Sequence, residues 1–141
     1  MPDITVPIIS AYAGGILIIL QALLMVLTGL HRGKAGINLG TGGDPVMERK
    51  IRRHGNLAEN AGLFVAVLAI AEMTVVPSST IMIIAIGFLV ARFSHAIALS
   101  TEAGSQGAEG GKIFVLARII GAFGTLLSFL ALGGFLLFNL M

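Results

Sequence analysis

The sequence contains no cysteine and no tryptophan, and only 11% of its 141 residues are charged. Without cysteine, the chain can form neither disulfides nor thiolate metal sites, and it can supply no cysteine nucleophile. Soluble domains carry about 25% charged residues, whereas 56% of this chain is hydrophobic and its mean hydropathy is +0.97. The composition is therefore typical of an integral membrane protein.

The chain contains four apolar segments, each long enough to cross a bilayer as a helix, which takes about 20 residues. They predict helices at about residues 8–30, 45–76, 79–99 and 112–139. The first segment follows Asp3 and no basic residue, unlike the start of a signal peptide. None of the segments shows the period-two alternation of a β-barrel. We expect a single domain over residues 1–141 with an all-α fold, a bundle of four transmembrane helices.

Basic residues are distributed unevenly between the two ends of these helices. The N-terminal segment, the turn between helices two and three, and the C-terminal tail contain no lysine or arginine. Loops one and three are flanked by Arg32, Lys34, Arg49, Lys50, Arg52, Arg53 and Lys112. The positive-inside rule therefore places these two loops in the cytoplasm and both termini outside. We expect this orientation in a bacterial inner membrane.

The segment ERKIRRHGNLAEN, residues 48–60, places charged and amide side chains at the start of the second helix. Arg49, Arg52, Asn56 and Glu59 follow one another at intervals of three, four and three residues. This spacing puts them on one face of a helix. The segment therefore predicts a polar stripe that descends from the cytosol into the membrane.

Further polar residues are expected at a similar depth in the third and fourth helices. Arg92 and His95 share one face of helix three, and Arg118 lies near the cytoplasmic end of helix four. One interpretation is that Glu59 neutralises Arg92 or Arg118 while other arginines reach the lipid headgroups. The other is a pocket for an anionic ligand that enters from the cytosol. The excess of arginine, which binds carboxylates in bidentate geometry, and the amide of Asn56 favour the pocket.

Other polar and small residues predict packing or an interfacial position. Ala117, Gly121 and Thr125 form a ridge of small residues on helix four, which suits close helix packing or oligomerisation. Glu72 lies near the outer end of helix two, where we expect it at the membrane interface. The histidines have no common ligand spacing, so we expect no metal site.

The motif of the second helix closely resembles a signature of the MAPEG family, the membrane-associated proteins in eicosanoid and glutathione metabolism. That signature is approximately E-R-x-x-R-x-H-x-N-x-x-E, and its fixed positions are met by Glu48, Arg49, Arg52, His54, Asn56 and Glu59. Three shorter stretches resemble the family in the same order: TGLHR at residues 28–32, ARFSH at 91–95 and LAR at 116–118. We expect a bacterial-type member that is similar to microsomal glutathione transferase and prostaglandin E synthase.

The resemblance implies a homotrimer that binds glutathione, as cosubstrate, between neighbouring subunits near the cytoplasmic membrane face. It implies that Arg118 is the catalytic residue and holds the glutathione thiol as a thiolate. The implied glutathione-binding residues are Arg32, Arg52, Asn56, Glu59, Arg92 and His95, and the shared helical face adds Arg49 to them. The thiolate would attack a lipid-soluble electrophile, and glutathione-dependent peroxidase activity is a further reaction of this kind. The expected partners are other copies of the chain, lipids and this electrophile, without nucleic acid.

Some positions depart from the family, and other functions stay open on the sequence. Leu99 stands where several of the animal synthases have a tyrosine, and Asn60 stands where the leukotriene synthase has another, which argues against an eicosanoid-specific reaction. One alternative is a non-catalytic lipid-binding protein of the same fold, although such a protein needs no pocket for a hydrophilic anion. A second is a small oligomeric transporter, although the basic residues lie in one half of the membrane and leave no polar path across it.

Overall fold

A computed structural model of the chain describes residues 6–104 and 111–141. Within these residues the chain forms four α-helices and one short 3₁₀ helix. The helices are α1 (Ile8–Ala35), α2 (Pro45–Met73), α3 (Ser78–Ala98) and α4 (Lys112–Leu140), and the 3₁₀ helix is Glu102–Gly104. Each of the four α-helices is long and apolar enough to cross a membrane. The predicted all-α fold with four membrane-spanning helices is confirmed, and the protein is an integral membrane protein.

The first helix continues to Ala35, beyond the predicted end at Leu30. It ends at Gly36, which has the left-handed conformation (φ 67°, ψ 25°). The N–H groups of Gly36 and Ile37 both donate to the carbonyl oxygen of Arg32, a common way of ending a helix. Basic residues do not interrupt a helix, so α1 extends past its apolar segment until glycine permits the turn.

The second helix begins at Pro45, with Asp44 as its N-cap, as the sequence predicts. The Asp44 carboxylate accepts hydrogen bonds from the backbone N–H groups of Val46, at 2.7 Å, and Met47, at 3.3 Å. Two N–H groups that have no partner inside the helix are thereby satisfied, and Pro45 has no N–H to leave unpaired. The helix therefore begins four residues before Arg49, the first residue of the polar stripe.

The second helix ends at Met73 rather than at the predicted Val76. The N–H groups of Thr74 and Val76 both donate to the carbonyl oxygen of Ala71, which closes the helix. Pro77 then provides no N–H to continue it, and α3 begins at the next residue. The apolar pattern continues through Val76, so it does not show that the helix has already ended at Met73.

The third and fourth helices pack very closely, because α4 presents glycines to α3. A Cβ atom at Gly121 would lie 2.6 Å from the Cβ and 2.8 Å from the Cα of His95. A Cβ at Gly124 would lie 2.9 Å from the Cβ of Ala91. The predicted ridge of small residues on the fourth helix therefore serves packing within the subunit.

A stack of three phenylalanines joins α2, α3 and α4 in the core. The rings of Phe64 and Phe88 lie 3.7 Å apart at 9° to each other, and the ring of Phe129 lies about 6 Å from both. The first helix packs mainly against α2. The outward faces of the bundle remain apolar, as Ile83 with 72% exposure illustrates. Such faces suit a lipid surrounding, in which apolar side chains are as well solvated as in the core.

Candidate functional site

A polar cleft opens between α2, α3, α4 and the 3₁₀ helix. It lies at the end of the bundle that carries loops one and three. Its volume is about 620 Å³, which falls within the range of roughly 300–1,000 Å³ typical of small-molecule sites. The lining residues are Pro45, Glu48, Arg49, Arg52, Asn56, His95, Leu99, Glu102, Arg118 and Ala122.

One wall of the cleft is formed by the first turns of α2. Arg49, Arg52 and Asn56 line it from successive turns, in agreement with their spacing in the sequence. The side-chain Nδ2 of Asn56 donates to the carbonyl oxygen of Arg52 at 3.0 Å, which holds the carboxamide against the helix. The side chain of Arg52 is exposed. Two guanidinium groups and one amide thus face the same space.

The opposite wall comes from α3 and α4. His95 is only 8% exposed and lies where the backbone of Gly121 approaches α3. Arg118 is half-buried, and its Nη1 donates to the carbonyl oxygen of Gly104 at 3.2 Å. The close packing of α3 on α4 therefore places an imidazole and a guanidinium in the lining of the same cleft as the basic residues of α2.

Arg92 lies beside the cleft but does not line it. Its side chain is 3% exposed, and its Nη2 donates to the carbonyl oxygen of Gly121 at 2.8 Å and to the hydroxyl of Thr125. Its Nη1 donates to the carbonyl oxygen of Asn56 at 3.4 Å. Arg92 therefore joins α3 to both α2 and α4 by hydrogen bonds. It thus connects the helices that form the two walls without lining the cleft itself.

Arg32 and Glu59 also lie outside the cleft lining of the single subunit. Arg32 donates to the carbonyl oxygens of Gly40, at 3.0 Å, and Ile37, at 3.4 Å, in the first loop. Glu59 is exposed on α2. In residues 6–104 and 111–141, the only ion pair joins His31 to Asp44. The interpretation that Glu59 neutralises Arg92 or Arg118 therefore does not describe the folded subunit.

Two carboxylates in the cleft were not among the residues predicted from the sequence. Glu48 belongs to the motif of the second helix and precedes Arg52 by four residues, so the spacing that predicts the polar stripe could also have included it. Glu102 lies on the 3₁₀ helix, where no periodicity indicates which way a side chain points. Both residues line the cleft together with three arginines.

The charges of the cleft favour an anionic ligand that also carries a cationic group. Arg49, Arg52 and Arg118 outnumber the two carboxylates, and arginine binds carboxylates in bidentate geometry. A guanidinium beside a thiol also favours the thiolate form. Among the residues that the structure describes, no cluster of three or more histidine or acidic side chains could hold a metal ion. The arrangement thus suits recognition of a small zwitterion and stabilisation of an anion.

Comparison with known proteins points to one family. The model of the MAPEG family matches residues 10–138, nearly the whole chain. The match includes all of α2 and α3, nearly all of α1 and α4, and every residue that lines the cleft. No curated protein matches the chain significantly.

Proposed function

The chain belongs to the MAPEG family, and from this premise we propose that it is a membrane-bound glutathione transferase. Membership supports a function in glutathione or eicosanoid-related metabolism at the level of the family. The observation that carries the finer proposal is the cleft in which Arg49, Arg52, Asn56, His95 and Arg118 converge. Glutathione presents carboxylates, amides, an ammonium group and a thiol, and the cleft offers a partner for each of them.

In this proposal, the groups of the ligand are held by side chains of the cleft lining. Arg49 and Arg52 bind the carboxylates, and Asn56 binds an amide of the tripeptide. The carboxylates of Glu48 and Glu102 face the ammonium group. Arg118 lies against the thiol and stabilises its ionised form, because a nearby cation lowers a thiol pKa from its ordinary value of about 8.5. The proton released from the thiol goes to solvent. The chain itself contains no cysteine, so the nucleophilic sulfur comes from the ligand.

The proposed reaction is a nucleophilic substitution or addition by this thiolate. With a chlorodinitrobenzene, the sulfur attacks the carbon that bears chlorine, a C–S bond forms, and chloride leaves with the C–Cl electron pair. Reduction of a lipid hydroperoxide by two glutathione molecules is a related reaction that the same thiolate supports. Neither reaction needs a metal.

An apolar pocket supports a lipophilic electrophile as the second substrate. It lies between α2 and α4 and is lined by Leu63, Phe64, Val67, Phe129, Leu132 and Gly133. The lining residues Leu63 and Phe129 lie two helical turns beyond Asn56 and Ala122 of the cleft, about 10 Å deeper into the bundle. A substrate dissolved in the bilayer can therefore approach along the seam between α2 and α4 on which the cleft opens.

We further propose that the working form is a homotrimer. In this form, loops one and three, and the end of each bundle at which the cleft opens, face the cytosol. Glu59 is exposed on a membrane-spanning helix, and an uncovered charge inside a bilayer costs about 2.5–3.5 kcal/mol. A neighbouring subunit that covers this face removes the exposure. The lining of the cleft in one subunit does not include Arg32. In the trimer, the neighbouring subunit brings its own Arg32 towards the ligand.

The central test is glutathione binding and turnover by the purified protein in detergent. We expect calorimetry to detect glutathione binding, and we expect conjugation of a chlorodinitrobenzene to depend on glutathione. Replacing Arg118 by alanine should lower the rate more than it weakens binding. Lys112→Ala is the matched control, because Lys112 is an exposed basic residue of α4 outside the cleft lining. Absence of glutathione binding in the wild type would refute the proposal.

Mixing of variants tests the intersubunit site. Arg32→Ala and Arg118→Ala subunits, each with low activity alone, are co-expressed and purified as mixed oligomers. If two subunits contribute to one site, some sites in the mixture contain both arginines and activity partly recovers. If recovery is absent and native mass spectrometry finds monomers, the oligomeric part of the proposal is wrong while the transferase activity can stand.

A non-catalytic lipid-binding function is the second candidate, and one observation favours it. A mainly apolar groove of about 410 Å³ lies between α1 and α2, lined by small residues such as Gly14, Ala58 and Gly62. Lipid that copurifies with the protein, together with no effect of glutathione on thermal unfolding, would support this function over the transferase.

A further inference from the structure

The guanidinium of Arg118 is held by the chain segment that follows α3. Its Nη1 donates to the carbonyl oxygen of Gly104, which is the last residue of the 3₁₀ helix and is buried. A guanidinium has five N–H donors in a planar fork. Fixing one nitrogen by a backbone carbonyl leaves the remaining donors available to the cleft that Arg118 lines.

This contact requires glycine at position 104. A Cβ atom there would overlap the backbone carbonyl of Ala98 and lie 3.3 Å from its Cα. The obstructing atoms belong to the backbone of Ala98, the last residue of α3, so no side-chain rotation can make room for the added Cβ. Ala98 is itself fully buried, which leaves it no direction in which to yield. The 3₁₀ helix therefore rests directly on the end of α3.

The start of α4 packs against the same short helix. A Cβ at Gly111, the residue before α4, would collide with the backbone of Ala103 and lie 2.7 Å from its Cβ. The 3₁₀ helix is thus packed between the end of α3 and the start of α4. Arg118 is two turns into α4, and it reaches back to this packed segment.

We propose that Gly104 is a positioning residue for the transferase reaction, because its carbonyl holds the Arg118 guanidinium toward the ligand's sulfur. The inference rests on the function proposed above for the cleft. An arginine without this bond would distribute over several rotamers and extend towards the headgroups and water. The packing of the 3₁₀ helix on α3 would then determine how strongly the cation acts on the thiol.

The first test needs no ligand and therefore does not depend on the proposed function. If Arg118 and the 3₁₀ segment hold each other, Arg118→Ala should accelerate hydrogen exchange at residues 99–104 several-fold, whereas Lys112→Ala should leave it unchanged. Equal exchange in Arg118→Ala and the wild type would overturn the inference, because the contact would then restrain neither group.

The second test measures the bound thiol. The thiolate absorbance of glutathione on the protein is titrated with pH for the wild type, Gly104→Ala and the control Gly134→Ala, where a Cβ meets open space on α4. In Gly104→Ala, the titration should shift upward so that about tenfold less thiolate is present at neutral pH. The affinity for glutathione should stay within about twofold. The control should titrate like the wild type.

The double variant separates positioning from general damage. If Gly104 acts through Arg118, adding Gly104→Ala to Arg118→Ala should not shift the thiolate titration any further. If the two substitutions lower the thiolate fraction additively, the inference is refuted. Should Gly104→Ala not fold, Ala103→Gly loosens the same segment without adding an atom and should shift the titration in the same direction, and an unshifted titration would count against the inference. If the wild type binds no glutathione, the proposed function fails, and the exchange experiment still decides whether Gly104 and Arg118 are coupled.

Discussion

The carboxylate of Glu72, at the end of α2, caps the first turn of α1 at Ser10. Its Oε2 accepts hydrogen bonds from the backbone N–H of Ser10 at 2.8 Å and from its hydroxyl at 2.6 Å. Its Oε1 accepts from the N–H of Ile9 at 2.9 Å. The residue before α1 is Pro7, which supplies no side-chain cap of its own. Because free N–H groups at a helix start favour a negative partner, Glu72 ties the two helices together at the end opposite the cleft.

Removal of this cap should destabilise the bundle. Glu72→Ala leaves the N–H groups of Ile9 and Ser10 without their partner, and we expect the free energy of unfolding to fall by roughly 1–2 kcal/mol. Ser10→Ala removes only the hydroxyl bond and should cost less. Thermal unfolding in detergent, followed by circular dichroism, measures both changes. Equal effects of the two variants would show that the backbone bonds to Glu72 contribute nothing.

The start of α2 should respond to acid. The hydrogen bond from His31, at 2.7 Å, lowers the pKa of Asp44 below its ordinary value of 3.8, and the bonds from Val46 and Met47 act in the same direction. Because the folded state has the lower pKa, ionised Asp44 contributes stability above pH 3.8, and this contribution is lost as the pH falls through the folded pKa. Asparagine can still cap a helix but does not titrate.

Asp44→Asn therefore gives a clear comparison. The thermal midpoint of the wild type should exceed that of the variant near neutral pH, and the difference should shrink as the pH falls below 3.8. A difference that is constant from neutral to acid pH would mean that the carboxylate charge of Asp44 does not stabilise the fold. The comparison uses the same detergent throughout.

Arg92 and Arg52 should respond differently to the same substitution. Arg92→Met removes the buried donor to the hydroxyl of Thr125 and one donor to the carbonyl of Gly121, which still accepts from Thr125. Hydrogen bonds to charged groups contribute about 1.5–3 kcal/mol each. We expect a large loss of thermal stability. Arg52→Met alters an exposed side chain of the cleft and should weaken glutathione binding without lowering the thermal midpoint. A thermal midpoint that falls equally in both variants would contradict the distinction.

The membrane-spanning helices follow from the sequence because the bilayer imposes their length. About 20 apolar residues are needed for each crossing, and four runs of this kind occur. The ends of the helices depend on local backbone geometry, which hydropathy does not report. α1 ends where Gly36 takes the left-handed conformation, and α2 ends where Ala71 accepts two N–H groups before Pro77. The predicted ends at Leu30 and Val76 missed both features.

The polar site was predictable within one helix but not between helices. The spacing of Arg49, Arg52 and Asn56 was sufficient to place them on one face of α2, and these three residues do line one cleft. Spacing does not determine which neighbour covers a face. Arg92 is directed into the bundle because α4 approaches α3 closely at Gly121. The carbonyl oxygen of Gly121 can then accept a hydrogen bond from the guanidinium. That contact depends on the packing of two helices, which no periodicity within one helix reports.

The close approach of α3 and α4 at Gly121 should be necessary for the cleft. In Gly121→Ala the new Cβ would lie 2.6 Å from the Cβ and 2.9 Å from the backbone N of His95, so the helices must separate. Overpacking of this kind costs roughly 1–3 kcal/mol, and the separation would also move His95 away from Arg118. We expect a lower thermal midpoint and weaker glutathione binding. Gly134→Ala, also on α4 but facing open space, should retain binding and be at least as stable, since alanine favours the helix over glycine by about 1 kcal/mol. If Gly121→Ala binds glutathione as tightly as Gly134→Ala does, the position of His95 relative to Arg118 is not what makes the cleft a binding site.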